Sequence, residues 1–174
     1  IMNLIKSFLT RRLLKNNKHF YWDSKINNFK TIKKLKSINK NILVGIEKQK
    51  DLVLNNTLRF AKGNFTNNAL LWGSRGNGKS SLIKSAFNEI SKEYKTLKLI
   101  QLNKDDLNNI IDIYKIIHEF DDMRFIIFID DLSFETINND YKIIKSTLDG
   151  SIINQPSNII IYITSNRRHL MPRD

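Results

Sequence analysis

The chain has 174 residues and a formal net charge of +12 at pH 7, and it contains no cysteine. This length suits a single folded domain, and the lack of cysteine excludes disulfide bonds and thiolate metal sites. The three histidines are scattered without metal-ligand spacing. No apolar run approaches the roughly 20 residues that a membrane-spanning helix needs, so we expect a soluble, cytoplasmic protein.

The positive charge is concentrated on the amino-terminal side. Residues 1–62 contain 15 Lys and Arg against 3 Asp and Glu, whereas residues 63–174 contain 14 of each kind. A basic segment of this sort attracts nucleic acid, an anionic membrane surface or an acidic protein. Compositional bias is the alternative explanation, because Ile, Asn and Lys make up 70 of the 174 residues.

The first predicted element is an amphipathic helix over residues 2–15, with apolar side chains at helical spacing and basic ones between them. It suits an interfacial helix, a targeting peptide or a helix docked on the domain. Residues 16–41 show no clear period, so we expect a linker or loosely packed arm whose aromatic side chains either stack on single-stranded bases or anchor the arm. We therefore predict a basic arm over residues 1–41 and a core over residues 42–174.

Helices and apolar strands alternate along this core. The predicted helices cover residues 47–60, 82–94, 107–120 and 141–148. The predicted strands cover residues 69–72, 97–102, 124–129 and 158–164. The strands read as continuous apolar runs, and their alternation with helices predicts a parallel sheet that is covered on both faces.

Residues 73–80 read Gly-Ser-Arg-Gly-Asn-Gly-Lys-Ser, which matches the phosphate-loop pattern G-x-x-x-x-G-K-[ST] between a strand and a helix. The glycines let successive backbone N–H groups point at phosphate oxygens. Lys79 is placed to hold the β- and γ-phosphates, and the Ser80 hydroxyl is placed to bind Mg²⁺. The residues predicted to bind the nucleotide here are Gly73, Ser74, Arg75, Gly76, Asn77, Gly78, Lys79, Ser80 and Ser81.

Two acids follow the predicted strand 124–129, at the sheet edge where open α/β sheets bind ligands. Asp130 is placed to hold Mg²⁺, and Asp131 is placed to orient the attacking water. Many ATPases of this kind carry Glu at the second position, and Glu135 is a weaker candidate for that role. The alternative is that the two acids only cap a strand in solvent.

A polar side chain also follows the predicted strand 158–164. Asn166 is expected at the same sheet edge as Asp130, where it can hydrogen-bond the attacking water or the γ-phosphate. A simple turn-forming role is the alternative for this residue. Arg167 and Arg168 are expected to be solvated or to contact a partner.

These motifs resemble a bacterial family of AAA+-type ATPases of uncharacterised role, the domain of unknown function 815. The resemblance runs from about Gly45 to Pro172. The stretches that carry it are G-I-E-K-Q-K, L-L-W-G-S-R-G-N-G-K-S-S, N-K-D-D-L, F-I-D-D-L-S-F-E, Y-K-I-I-K-S and I-T-S-N-R-R-H-L. It implies the AAA+ strand order 5-1-4-3-2, Asn166 as first sensor, an adenine pocket near Gly45 and Ile46, and a homo-oligomer. It implies no known substrate.

The predicted fold class is thus a three-layer α/β P-loop NTPase core of AAA+ type with a parallel sheet. AAA+ proteins continue into a fifth strand and a helical lid, whereas this chain stops at Asp174, so we expect both to be missing and the first strand to lie at the sheet edge. We expect ATP and Mg²⁺ as cofactors, with hydrolysis driving an unknown remodelling or loading task. The alternatives are a nucleotide-gated DNA-binding module of the helicase-loader kind and a small-molecule kinase.

Overall fold

The computed structural model describes residues 1–33, 47–73, 78–133, 139–148 and 154–166. Its strands are β1 His19–Asp23, β2 Asn28–Thr31, β3 Ala69–Trp72, β4 Leu97–Gln101, β5 Arg124–Leu132 and β6 Ile159–Ser165. Its helices are α1 Met2–Asn16, α2 Glu47–Ala61, α3 Lys79–Ser91, α4 Ile110–Ile117 and α5 Asn139–Leu148, with a short 3₁₀ helix at Lys104–Asn109. None of the helices in these ranges is long and apolar enough to cross a membrane.

The six strands form one sheet in the order β2-β1-β4-β5-β6-β3. Strands β1 and β2 pair antiparallel, and every other neighbouring pair is parallel. After β2 and β1 the order is β4-β5-β6-β3, which are the second, third, fourth and first strands of the predicted core. Read from the β3 edge this order is 1-4-3-2, as expected. Within the described ranges β3 is an edge strand, as predicted.

The sheet is buried on both faces because alternate residues of its central strands enter two separate cores. Ile126 and Phe128 of β5 pack in the cluster that contains Leu82, Ile83 and other residues of α3. The second cluster contains Ile127 and Ile129 of β5 together with residues of α4, α5 and the first two strands. Helices therefore cover both faces, and the three-layer α/β prediction is confirmed.

Residues 19–31 differ from the linker or loosely packed arm that we expected. They form a β-hairpin that extends the sheet, and β1 pairs in parallel with β4. Phe20, Trp22 and Phe29 are buried, the Trp22 and Phe29 rings meet edge to face at 5.2 Å, and the Trp22 indole donates to Asn109 Oδ1 at 3.2 Å. These three rings anchor the segment, so they are not open platforms for bases. The predicted boundary between residues 41 and 42 lies outside the described residues.

Helix α1 docks on the domain through its second half only. Thr10 and Leu14 are buried, whereas Leu4 and Phe8 in the first half are 75% and 64% exposed. The carbonyl oxygens at the helix end accept hydrogen bonds from Lys98 Nζ, at 3.2 Å from Lys15 O and 2.7 Å from Asn17 O. A cation on the terminal carbonyls of a helix is favourable. The docked-helix alternative therefore holds for the second half of α1.

Candidate functional site

The phosphate-loop motif joins β3 to α3, in the setting that its sequence predicts. The Gly73 N–H at the end of β3 donates to Ser165 O at 3.2 Å, which ties the start of the loop to β6. Gly78 caps α3 with φ of +87°, a backbone conformation that strains any residue with a Cβ. The predicted nucleotide contacts Gly45, Ile46, Ser74, Arg75, Gly76 and Asn77 lie outside the described residues.

Lys79 is the first residue of α3 and is buried, with 6% of its surface exposed. Its ammonium donates to Gly73 O, at the end of β3, at 3.0 Å. Burial lowers the pKa of Lys79, while the negative charges of Asp130 and Asp131 act to raise it. The ammonium therefore lies within electrostatic reach of both acids. Ser80 and Ser81 follow in the first turn of α3 and are partly exposed.

A β-bulge at the end of β5 sets the position of the two acids. Ile129 pairs with Ile163 and Leu132 pairs with Ser165, so β5 uses three steps where β6 uses two. The extra residue is absorbed at Asp131, which has φ of +60°, a left-handed conformation that Asp tolerates better than most residues. Asp130 is exposed and Asp131 is partly exposed.

Thr164 of β6 links these two acids, and no role for it was derived from the sequence. Its hydroxyl oxygen accepts the Asp131 backbone N–H at 2.9 Å, and its hydroxyl proton is donated to Asp130 Oδ1. Tyr162, two residues earlier in β6, packs in the core that α3 covers, so Thr164 faces the start of α3. Thr164 is 2% exposed, whereas the Asp130 carboxylate that accepts its proton is exposed.

Asn166 contacts the second acid. Its amide nitrogen donates to Asp131 Oδ1, so the strand-end amide lies at the same sheet edge as the acids, as expected. The structure thus brings Lys79, Asp130, Asp131 and Asn166 together at the carboxyl ends of the parallel strands. The weaker candidates Glu135, Arg167 and Arg168 lie outside the described residues.

A cation at this edge would need water or phosphate oxygens in its coordination shell. In the described ranges no group of three or more acid or histidine side chains is arranged to hold a metal ion. A hydroxyl from Ser80 and a carboxylate from Asp130 are oxygen donors of the kind that Mg²⁺ uses, and Mg²⁺ commonly keeps several waters beside one or two protein ligands. The residues present therefore fit Mg²⁺ bound together with a phosphate better than a cage made of protein alone.

A cavity of about 760 Å³ adjoins the acids on the side of the hairpin. Its walls include the hairpin residues Tyr21 and Lys25, Lys84 of α3, and Asp130 and Asp131. Because β1 is parallel to β4, the hairpin turn comes to the same sheet edge as the acids. The hairpin that the sequence did not reveal therefore forms one wall of the candidate site.

Comparison with known proteins places the fold in a wider group. A model of the family described as "Protein of unknown function (DUF815)" matches residues 15–174, including the hairpin. The structure of C. elegans PCH-2 matches with a TM-score of 0.53 and 20% identity, over 78% of this chain and 41% of that chain. The E. coli MS115-1 HORMA:CdnC:Trip13 complex matches with a TM-score of 0.51 and 11% identity, over 76% of this chain and 60% of that chain.

The chain thus spans less than two thirds of either matched structure. No curated protein matches it significantly. Likeness at these identities establishes the fold, which is an AAA+-like α/β core, and it leaves the chemistry to be argued from the site.

Proposed function

The chain belongs to the DUF815 family, whose function is unknown, and from its site we propose that it binds ATP with Mg²⁺ and hydrolyses it. One observation carries this proposal. The phosphate-loop lysine at the start of α3 is within electrostatic reach of two acids at the end of β5, and the second acid is hydrogen-bonded to the Asn166 amide. A phosphate cradle, a metal-binding acid and a water-orienting pair are the parts that phosphoryl transfer to water requires.

Phosphate binding is assigned to the loop and to Lys79. The Lys79 ammonium is bonded to Gly73 O at 3.0 Å, so it already lies beside the residue that begins the phosphate-loop motif, where a phosphate oxygen could replace that carbonyl. The N-terminal N–H groups of α3 favour the same anion. The contacts proposed for Gly45, Ile46 and residues 74–77 complete the nucleotide site.

Metal binding is assigned to Ser80 and Asp130. The Thr164 hydroxyl donates to Asp130 Oδ1, so this hydrogen bond fixes one oxygen of the carboxylate. Bound Mg²⁺ would neutralise the charge that develops on the β- and γ-phosphates.

Water activation is assigned to Asp131 and Asn166. The left-handed bulge at Asp131 takes its carboxylate out of the regular strand position, and its side chain is one methylene shorter than Glu. The Asn166 amide donates to Asp131 Oδ1, which supports the proposal that it orients this carboxylate and senses the γ-phosphate. We expect slow hydrolysis, in a homo-oligomer in which a neighbouring subunit completes the site.

Titration calorimetry with Mg·ATP tests the binding step. Lys79→Ala should weaken affinity about 30- to 160-fold, since charge-assisted hydrogen bonds are worth roughly 2–3 kcal/mol. Lys92→Ala is the matched control, because Lys92 lies at the exposed carboxyl end of the same helix. Equal affinity of the Lys79 and Lys92 variants would contradict the proposal.

Phosphate release tests the hydrolysis step. Asp131→Asn should retain Mg·ATP affinity within a few-fold and lower turnover about 10²- to 10⁴-fold, the range expected when a general base is lost. Unchanged turnover would remove Asp131 from the mechanism while leaving ATP binding intact.

A second candidate function is phosphoryl transfer to a small acceptor, and the cavity beside Asp130 and Asp131 favours it. Its volume of about 760 Å³ is within the range of small-molecule pockets. An acceptor bound there would replace water as the nucleophile. Phosphorylated product formed faster than free phosphate, with ATP and a panel of hydroxyl and carboxylate acceptors, would select this function over hydrolysis.

A further inference from the structure

The first half of α1 carries an apolar surface that the domain does not cover. Six apolar side chains within the first nine residues are more than half exposed: Ile1, Met2, Leu4, Ile5, Phe8 and Leu9. The helix is held by its second half, through buried Thr10 and Leu14 and through an ion pair between Arg11 and Asp122 at 2.7 Å. The second half of α1 is therefore the base that fixes the exposed apolar half to the domain.

Several basic side chains lie near the base of this apolar half, beside the Asp122 carboxylate that pairs with Arg11. Arg12 and Lys15 are exposed in the last turns of α1, and no acid occurs between residues 1 and 22. Lys18 follows the helix, and its ammonium donates to Ser91 O at 3.2 Å. Burial lowers the pKa of Lys18, and the nearby ammonium groups of Lys95 and Lys92 lower it further. Lys18, Lys92 and Lys95 therefore form one cluster, next to the end of the helix that carries Arg12 and Lys15.

This cluster lies at the amino-terminal edge of the sheet. Strands β1 and β4 are parallel neighbours, so the residues before both strands, Lys18 and Lys95, lie at the same edge. The acids Asp130 and Asp131 lie at the opposite, carboxyl-terminal edge. A surface that engages α1 and the lysine cluster would leave the candidate nucleotide site facing away from it.

We propose that α1, with the cations Arg12, Lys15, Lys18, Lys92 and Lys95, docks the protein on an anionic phospholipid surface. Nucleic acid would use the cations but would leave the apolar side chains in water, whereas a bilayer interface takes both. A second copy of the chain would cover the apolar side chains but would bring like charges together. The eight helical residues from Met2 to Leu9 extend about 12 Å, and interfacial helices bury an apolar face of this kind roughly 5–10 Å deep.

Flotation of the full chain with lipid vesicles tests the proposal. Vesicles of phosphatidylcholine with 30 mol% phosphatidylglycerol, on the order of the anionic content of cytoplasmic leaflets, should carry the protein upward at 150 mM salt, roughly physiological. Vesicles of phosphatidylcholine alone should carry at least tenfold less, and raising the salt to about 500 mM should reduce binding to the anionic vesicles, because screening weakens exposed charges. Equal binding to both vesicle types, or none to the anionic type, overturns the proposal.

Two variants separate the apolar and ionic contributions. Leu4→Ser with Phe8→Ser should lower partition at least tenfold, and Arg12→Gln with Lys15→Gln about 25-fold, at roughly fivefold per cation near an anionic surface. All four side chains are exposed, so the fold should persist. Leu52→Ser, at a 69% exposed leucine of α2, is the matched control and should bind as wild type.

Two outcomes would identify a different occupant and overturn the proposal. If the Leu4 and Phe8 variant binds vesicles as wild type does while Arg12 and Lys15 are needed for binding to duplex DNA, the surface is a nucleic-acid site. If the same apolar variant converts a dimer to a monomer in sedimentation without altering vesicle partition, α1 is an interface between copies of the chain.

Discussion

Replacing Thr164 by Val tests whether one buried hydroxyl organises both acids. Valine has nearly the shape of threonine, so the substitution removes the hydroxyl and leaves the packing. The Asp131 N–H, which is partly buried, loses its acceptor, the Thr164 oxygen at 2.9 Å, and a donor left without a partner away from water costs about 1–3 kcal/mol. The lost bond to Asp130 costs less, because that carboxylate is exposed and water can replace the hydroxyl. The expected loss is about 2 kcal/mol.

For a chain of this size a loss of about 2 kcal/mol lowers the melting temperature by roughly 4–8 °C. Thr164→Ser is the control, since it keeps the hydroxyl and removes a methyl group, at a cost of about 1 kcal/mol. The melting temperatures of both variants are measured by circular dichroism in the absence of nucleotide. A valine variant that melts at or above the serine variant would refute the role of the hydroxyl. If the proposed function is correct, ATP turnover should also fall more in the valine variant.

Three further predictions concern the parts that surround the site. Burial and nearby Lys84 lower the pKa of His19 to about 4 in the folded protein. As the pH falls below about 6.5, His19 is therefore protonated in the unfolded chain before it is protonated in the folded one. The free energy of unfolding should decrease as the pH falls toward 4. Between pH 7 and pH 4.5 the His19→Phe variant should lose about 1–2 kcal/mol less of its free energy of unfolding than the wild type, after allowing for solvent screening. Urea titrations at the two pH values measure this difference. Trp22→Ala, at a 3% exposed position, should cost about 3–5 kcal/mol in the same assay. Tyr21→Ala, at the neighbouring 37% exposed position, should cost about 1 kcal/mol or less. Lys98→Met should accelerate hydrogen exchange in α1 about tenfold, because two terminal carbonyls lose their donor, while exchange in β5 stays unchanged.

The amino-acid sequence by itself determined the parts of this protein that depend on local chemistry. The string of residues 73–80 predicts a phosphate loop because glycine conformations, a lysine and a serine are all needed at fixed spacing. The apolar run 125–129 predicts a strand buried on both faces, and β5 is such a strand. The four core strands followed in their predicted order, since alternating helices and apolar strands leave few arrangements of a parallel sheet.

Tertiary structure alone decided how the site is assembled. Thr164 has a role only because the register of β6 places it beside a bulge, and register depends on contacts between strands that are 33 residues apart. The hairpin of residues 19–31 escaped detection because its period-two pattern is short and its burial comes from docking on β4 and α4. Local spacing thus specifies the loop and the strand, whereas the pairing of distant segments specifies which side chains meet the acids.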